Sequence, residues 1–214
     1  MINDKYIIIH LSNYINVIDL YNFFLINKYF NKTLNEIIIS KKNIYNGICK
    51  KYKKKNIINM IEFEEKNNII KFAITSGLFK LNIITLDNST PLMVAAYKGN
   101  IYAIDLLINY NKNTNINSYD IEGNTALWLA SHNNKINSVK KLLKYHNLNI
   151  NQTDIIGKTA LWIASACGNE DVVRILIENG AENIKDDDGR TPIQIAKMIG
   201  NDKVVDILIQ NKYN

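Results

Sequence analysis

The sequence is poor in several features, and each shortage excludes a class of protein. Only two cysteines, Cys49 and Cys167, occur among the 214 residues, which gives neither a disulfide framework nor the paired spacing of a zinc site. No apolar run approaches the ~20 residues that cross a bilayer, and the first residues lack the basic and apolar regions of a secretory signal. We therefore expect an intracellular protein, cytoplasmic or nuclear, that is not secreted and has no membrane span.

Arginine and proline are also scarce, with two residues each, whereas the chain contains 38 Ile, 34 Asn and 24 Lys. This bias is typical of the codon usage of an AT-rich genome. Lys and Asn then fill solvent positions that other polar residues occupy elsewhere, so their number alone is weak evidence of a binding site. The 47% apolar content is that of a globular chain with one sizeable core or two small ones.

The net charge of +6 is unevenly distributed. Residues 1–89 contain 13 Lys and seven acidic residues, whereas residues 90–214 contain equal numbers of basic and acidic residues. Seven lysines and no acid lie between Lys41 and Lys55, interleaved with Tyr45 and Tyr52. This stretch is compatible with a nucleic-acid or anionic-membrane surface. The Lys-rich composition and the near absence of Arg, the better phosphate ligand, count against that interpretation.

An internal repeat organises the rest of the chain. The same motif recurs at spacings of 35, 34 and 32 residues, as TPLM (90–93), TALW (125–128), TALW (159–162) and TPIQ (191–194). Each motif is followed by small residues and, nine residues after the Thr, mostly by Gly, with Asn134 or a neighbour in that place in the second unit. A second apolar stripe at helical spacing follows. Each unit is therefore predicted to be helix, turn, helix, with the Thr capping the first helix.

The segments between the units also share their turn residues. An Asp is followed three residues later by a Gly at Asp120–Gly123, Asp154–Gly157 and Asp186–Gly189, and Asn88 occupies the Gly place before the first unit. Asp bonds nearby backbone groups and Gly takes a left-handed conformation, so this spacing predicts a tight turn.

Residues 81–211 resemble the ankyrin repeat, a β-turn plus two antiparallel helices that opens with TPLH. The likeness is to ankyrin proteins encoded by AT-rich genomes, including large DNA viruses, and it implies an all-α ankyrin-repeat solenoid. Met93, Trp128, Trp162 and Gln194 replace the family's His, which affects its usual hydrogen bond and not the fold. We divide the chain into a helical segment at 1–55, a degenerate capping repeat at 56–80 with its first helix at 56–64, and four repeats at 81–214.

The resemblance implies a non-catalytic scaffold for protein–protein interaction, expected to be a monomer, whose turn tips and first helices form a concave binding wall. Two roles fit Ile155 and Ile156: they are apolar anchors for a partner, or they pack against an adjacent turn. The residues predicted to contact a partner are Tyr97, Lys98, Glu122, Asn124, His132, Asn133, Ile155, Ile156, Lys158, Asp187, Asp188 and Arg190.

Residues 1–55 resemble an F-box, a small helical segment that docks adaptor subunits of a ubiquitin ligase. The likeness lies in IIIHLSNYI followed by IDLYNFFLINKYFNKTL. Its apolar residues either divide between internal packing and a surface that binds the adaptor, or all lie in the core. The residues concerned are Ile7, Leu11, Leu20, Phe24, Ile26 and Phe30.

Signals of catalysis, cofactors or metals are weak. Gly157-Lys158-Thr159 lacks the preceding Gly of a phosphate-binding loop and falls in a repeat turn. Asp186, Asp187 and Asp188 lack the alternation and the Glu of a calcium loop, so we interpret them as a solvated turn tip. The three His have no metal-ligand spacing. Trp128 and Trp162 occupy equivalent places, and we favour an inter-repeat contact over a binding role.

Overall fold

The computed structural model describes residues 57–62, 70, 71, 74, 84–110 and 114–213. The F-box-like segment at 1–55, which includes the basic stretch from Lys41 to Lys55, lies outside the described residues. The predictions made for it therefore stay predictions.

The described residues form helices joined by tight turns. The helices lie in consecutive pairs, one pair for each of the four repeated motifs, after a first short helix. They are α1 (Ile57–Glu62), α2 (Pro91–Lys98), α3 (Ile101–Tyr110), α4 (Ala126–His132), α5 (Ile136–Leu142), α6 (Ala160–Cys167), α7 (Glu170–Glu178), α8 (Pro192–Ile199) and α9 (Asp202–Gln210).

The predicted threonine caps are present at the first helix of each pair. Thr159 Oγ1, for example, accepts a hydrogen bond from the backbone N–H of Trp162 at 3.1 Å. In the first and last units a second hydrogen bond runs in the opposite direction. It joins the backbone N–H of the capping Thr to the side chain that stands in the place of the family's His. Thr90 N donates to Met93 Sδ at 3.3 Å, and Thr191 N donates to Gln194 Oε1 at 2.8 Å. Two orphan amides at each helix start are thereby satisfied.

The chain reverses between the two helices of a pair through a residue with positive φ. Gly99, Gly168 and Gly200 take this role, and Asn134 replaces them in the second unit with a φ of 51°. The substitution predicted there is confirmed, and it is tolerated because Asn enters the left-handed region more easily than most residues.

Each pair packs against the next in two layers. The first helices α1, α2, α4, α6 and α8 contact one another in order, and the second helices α3, α5, α7 and α9 do the same. Leu127, Leu161, Leu176 and Ile207 are among the fully buried side chains that make the core continuous along the stack. The all-α repeat solenoid is confirmed. Within the described residues, no helix has the length and apolar character required to cross a bilayer.

Candidate partner-binding surface

Each turn before a first helix is built around a polar side chain that accepts hydrogen bonds from the backbone of the turn. Asp120 Oδ1 accepts hydrogen bonds from the backbone N–H groups of Glu122 and Asn124, both at 2.9 Å. Asp154 Oδ1 binds Ile156 N at 3.0 Å and Lys158 N at 2.8 Å in the same way. Because the Asp side chain holds the inside of each turn, the two residues at its tip point away from the core.

Neighbouring tips are joined by a regular ladder of backbone hydrogen bonds. Ile121 N donates to Asp87 O at 3.0 Å, Ile155 N to Glu122 O at 3.1 Å, and Asp187 N to Ile156 O at 3.1 Å. The tips therefore form one continuous edge along the molecule. We call this edge, residues 85–89, 120–124, 154–158 and 186–190, together with the exposed faces of α2, α4, α6 and α8, the wall.

Most residues predicted to contact a partner lie on the wall with accessible side chains. Ile155 and Ile156 are 67% and 47% exposed, which removes packing against a neighbouring turn as their main role. Several others are exposed or half-buried, namely Tyr97, Lys98, Glu122, His132, Asn133, Lys158, Asp187, Asp188 and Arg190.

Two residues interpreted as part of the exposed tips are buried. Asn124 is only 5% exposed, and its Nδ2 donates to Asp120 Oδ2 and Glu122 Oε2, both at 3.1 Å. Asp186 is also 5% exposed and accepts bonds from Arg190 N and Nε, both at 2.8 Å. The prediction that Asn124 contacts a partner and the view of Asp186 as solvated are wrong, because both side chains hold the turn from within.

A groove of about 530 Å³ lies between the first two turn tips and the helices behind them. It brings together five of the residues predicted for the wall, Tyr97, Lys98, Glu122, Asn124 and His132, with residues that the sequence did not single out. The latter include Ile58, Val94 and Leu129. Trp128, for which the sequence favoured an inter-repeat contact, and Asp87, a tip position that was not predicted to contact a partner, also line the groove. The position of Asp87 in the first tip was the feature of the sequence that could have identified it. The first turn is altered, with Thr85 in the Asp position, so its match to the other tips is weaker.

The two equivalent tryptophans have different surroundings. Trp162 is 4% exposed, its Nε1 donates to Arg190 O of the next unit at 3.2 Å, and Lys158 Nζ lies 4.5 Å from its ring centroid. Trp162 thus makes the inter-repeat contact predicted for it. Trp128 is half-buried and packs edge-on against His132 with ring centroids 5.2 Å apart, and its Nε1 has no acceptor.

The residue before the capping Thr explains this difference. In the third unit Lys158 extends over the indole of Trp162. In the second unit the same place is taken by Asn124, whose amide is bound inward to Asp120 and Glu122. The face of α4 beside Trp128 therefore stays open as part of the groove.

Comparison with known families agrees with this geometry. A family model described as ankyrin repeats (3 copies) matches residues 57–154 and 146–214, which together cover well over half of the chain. The chain is an ankyrin-repeat protein. A comparison with curated proteins gave no match. Membership of a generally non-catalytic family supports a role as a protein–protein interaction scaffold.

The ankyrin wall is acidic at its first two tips. The side-chain hydroxyls of Thr85 and Ser89 bond Asp87 and hold the pKa of its carboxyl below the usual range. Neither Asp87 nor Glu122 forms an ion pair with any Lys or Arg of the described residues. The last tip is acidic as well, but there Arg190 pairs with Asp186 and Asp188, so part of the negative charge is neutralised within the tip.

The described ankyrin repeats contain no group of His, Cys, Asp and Glu side chains suited to hold a metal ion. Cys167 forms no disulfide, and burial of part of its side chain raises the pKa of the thiol. A raised pKa lowers the fraction of reactive thiolate at neutral pH.

We expect Trp162→Phe to cost the ankyrin fold about 1–2 kcal/mol more than Trp128→Phe, because only Trp162 loses a bonded N–H and a cation–π contact. Trp162 is also the more deeply buried ring, so the difference contains an apolar contribution in addition to the two polar contacts. Equilibrium urea denaturation of the two variants measures it. An equal loss of unfolding free energy in the two variants would contradict the different surroundings assigned to Trp162 and Trp128.

Proposed function

We propose that this ankyrin-repeat protein is a non-catalytic scaffold that binds a protein target through the wall. The residues that carry the interaction are the exposed tip residues and the ends of the first helices, including Tyr97, Lys98, His132 and Asn133. Asp187, Asp188, Lys158 and Arg190 extend the surface toward the last unit.

One observation carries this proposal. Ile155 and Ile156 are 67% and 47% exposed at a tip whose backbone is fixed by Asp154 and by the ladder to Glu122. Large apolar side chains in water on a rigid turn lose little conformational entropy when a partner covers them. Such a tip is suited to protein recognition.

We expect Ile155→Ser combined with Ile156→Ser to weaken target binding at least about tenfold, since the loss of two buried isoleucines exceeds the 1.4 kcal/mol of a tenfold change. Affinity capture from a eukaryotic cell extract, quantified by mass spectrometry for wild type and variant, measures this.

The matched control is Ile101→Ser combined with Ile209→Ser, because these isoleucines are 45% and 49% exposed but lie on second helices outside the wall. The scaffold function is refuted if every captured protein responds equally to the two double variants.

We also propose that residues 1–55 form a separate unit that recruits an F-box adaptor of a ubiquitin ligase, and that residues 56–80 form a capping repeat ahead of four full repeats. The sequence pattern of Leu20, Phe24 and their neighbours supports the first part. A pull-down with purified adaptor, compared with Leu20→Glu plus Phe24→Glu, tests it. Absence of binding by the wild-type chain refutes adaptor recruitment.

The second candidate for the N-terminal part is binding of nucleic acid or an anionic membrane through Lys41 to Lys55. The seven lysines without an acid support it. Retention on heparin that is lost when these lysines become Gln would favour it over adaptor recruitment. Both candidates are compatible with a monomer in the cytoplasm or nucleus and with an AT-rich viral genome as the source.

A further inference from the structure

The groove between the first two tips has carboxylates on its rim. Asp87 lies on one tip and Glu122 on the next, and both side chains are exposed. Among the described side chains that line the groove, Lys98 is the one fixed positive charge, against Asp87, Glu122 and the inward-facing Asp120. The groove therefore has a formal net charge of −2 when His132 is neutral.

The floor and sides of the groove are apolar and aromatic. Tyr97, which is 45% exposed, and the half-buried Trp128 contribute rings from neighbouring first helices. Val94, Leu129 and the buried Ile58 supply aliphatic surface between them. Two interactions attract a cation to aromatic faces that lie next to carboxylates: the cation–π interaction with the ring and the Coulomb attraction to the carboxylates.

A comparison within the chain shows what such a surface binds. At the third unit, the aromatic ring in the place of Trp128 is Trp162, and a cation already covers it, because Lys158 Nζ lies 4.5 Å from the ring centroid. Arg190 adds a second cation at 5.9 Å. In the second unit no described Lys or Arg takes that place, because Asn124 stands there and is turned inward.

We propose that the groove binds a basic segment of a protein, in which a lysine or arginine flanked by apolar residues takes beside Trp128 the place that Lys158 takes on Trp162. This inference rests on the proposed scaffold function and adds the chemistry of the partner. The charged group lies between Asp87 and Glu122, and the flanking apolar residues contact Tyr97, Val94 and Leu129.

The same charges disfavour an anionic partner. A phosphate or carboxylate in the groove would face Asp87 and Glu122, with Lys98 as the one amine among the described lining residues, and like charges brought together at an interface cost affinity. Nucleic acid and anionic lipid are therefore poor occupants of this part of the wall.

Selection of a phage-displayed library of random 12-residue peptides on the full-length chain tests the inference. We expect the enriched peptides to carry net positive charge with Lys or Arg next to apolar residues. The best peptide, measured by fluorescence polarisation, should bind Asp87→Asn combined with Glu122→Gln at least tenfold more weakly. Its affinity should also fall with added salt.

The matched control is Asp206→Asn combined with Glu178→Gln, which removes the same charges from exposed positions on second helices and should leave the affinity unchanged. Lys98→Glu should tighten binding, and a gain of affinity has no explanation in misfolding. Neutral or acidic enriched peptides, a failed selection, or equal binding by the groove variant would each overturn the inference.

Failure here is distinguishable from failure of the scaffold function. If capture still depends on Ile155 and Ile156 but the selected peptides are not basic, the wall binds protein and the chemistry assigned to the groove is wrong. If neither experiment depends on any wall residue, both proposals fall.

Discussion

Gly123→Ala is expected to lower the free energy of unfolding by about 3 kcal/mol or more, the sum of left-handed strain, a backbone clash and a lost hydrogen bond. The φ of Gly123 is 82°, and an added Cβ would lie 2.6 Å from Ile155 N and 2.8 Å from Asp154 Cα. These are backbone atoms of the next turn, so the turn itself must move. The movement would break the bond from Ile155 N to Glu122 O. Equilibrium urea denaturation measures the loss.

Gly189→Ala is the matched control. Gly189 occupies the same place in the last turn with a φ of 78°, but nothing lies within 4 Å of its Cβ position, because no further unit follows there in the described residues. Its cost is therefore the left-handed strain alone, about 1–2 kcal/mol. Equal destabilisation by the two variants would show that the close approach of adjacent turns has no energetic weight.

The repeat fold was predictable because its determinants are local. A capping Thr, a positive-φ residue nine positions later and an Asp three residues before a Gly each specify one backbone feature. Their recurrence at a nearly constant period then specifies a stack of identical units. Even the replacement by Asn134 followed from the same backbone requirement.

The groove was not predictable from these motifs, because it depends on side-chain direction in space. Trp128 and Trp162 have the same motif, yet one ring is covered and the other is open. The residue just before the capping Thr determines this, through the length of Lys158 and the inward bonds of Asn124. The repeat pattern assigns this residue to the turn tip and so predicts an exposed side chain for Asn124, which the structure buries.

Sequence composition also gives too little weight to the structural role of the asparagine side chains. In a chain with 34 Asn, composition predicts solvent positions for most of them. Several of them instead join the units, and two do so in the same way. Asn169 Nδ2 donates to Ser131 O at 2.8 Å and His132 O at 3.1 Å, and Asn201 Nδ2 donates to Ser165 O and Ala166 O, both at 2.9 Å. The recurrence of Asn just before a second helix was the signal available in the sequence.

Asn201→Ala is expected to destabilise the protein by about 2 kcal/mol, because two hydrogen bonds are lost. Ser165 O keeps its bond from Gly168 N, whereas Ala166 O is left without a donor among the described residues. The effect should concentrate on the last unit. In a linear stack each unit is stabilised by its neighbour, so weakening one interface lets the terminal unit open separately. Hydrogen exchange should show faster exchange of α9 amides, and the urea transition should broaden.

Asn179→Ala is the matched control, because Asn179 Nδ2 donates to Ile175 O at 2.8 Å within its own helix. That bond closes an exposed helix end and joins no units, so its loss should cost roughly 0.5–1 kcal/mol and leave the transition sharp. If the two variants lose the same stability and keep the same cooperativity, the Asn side chains do not couple the units. Coupling must then come from the apolar contacts between neighbouring first helices.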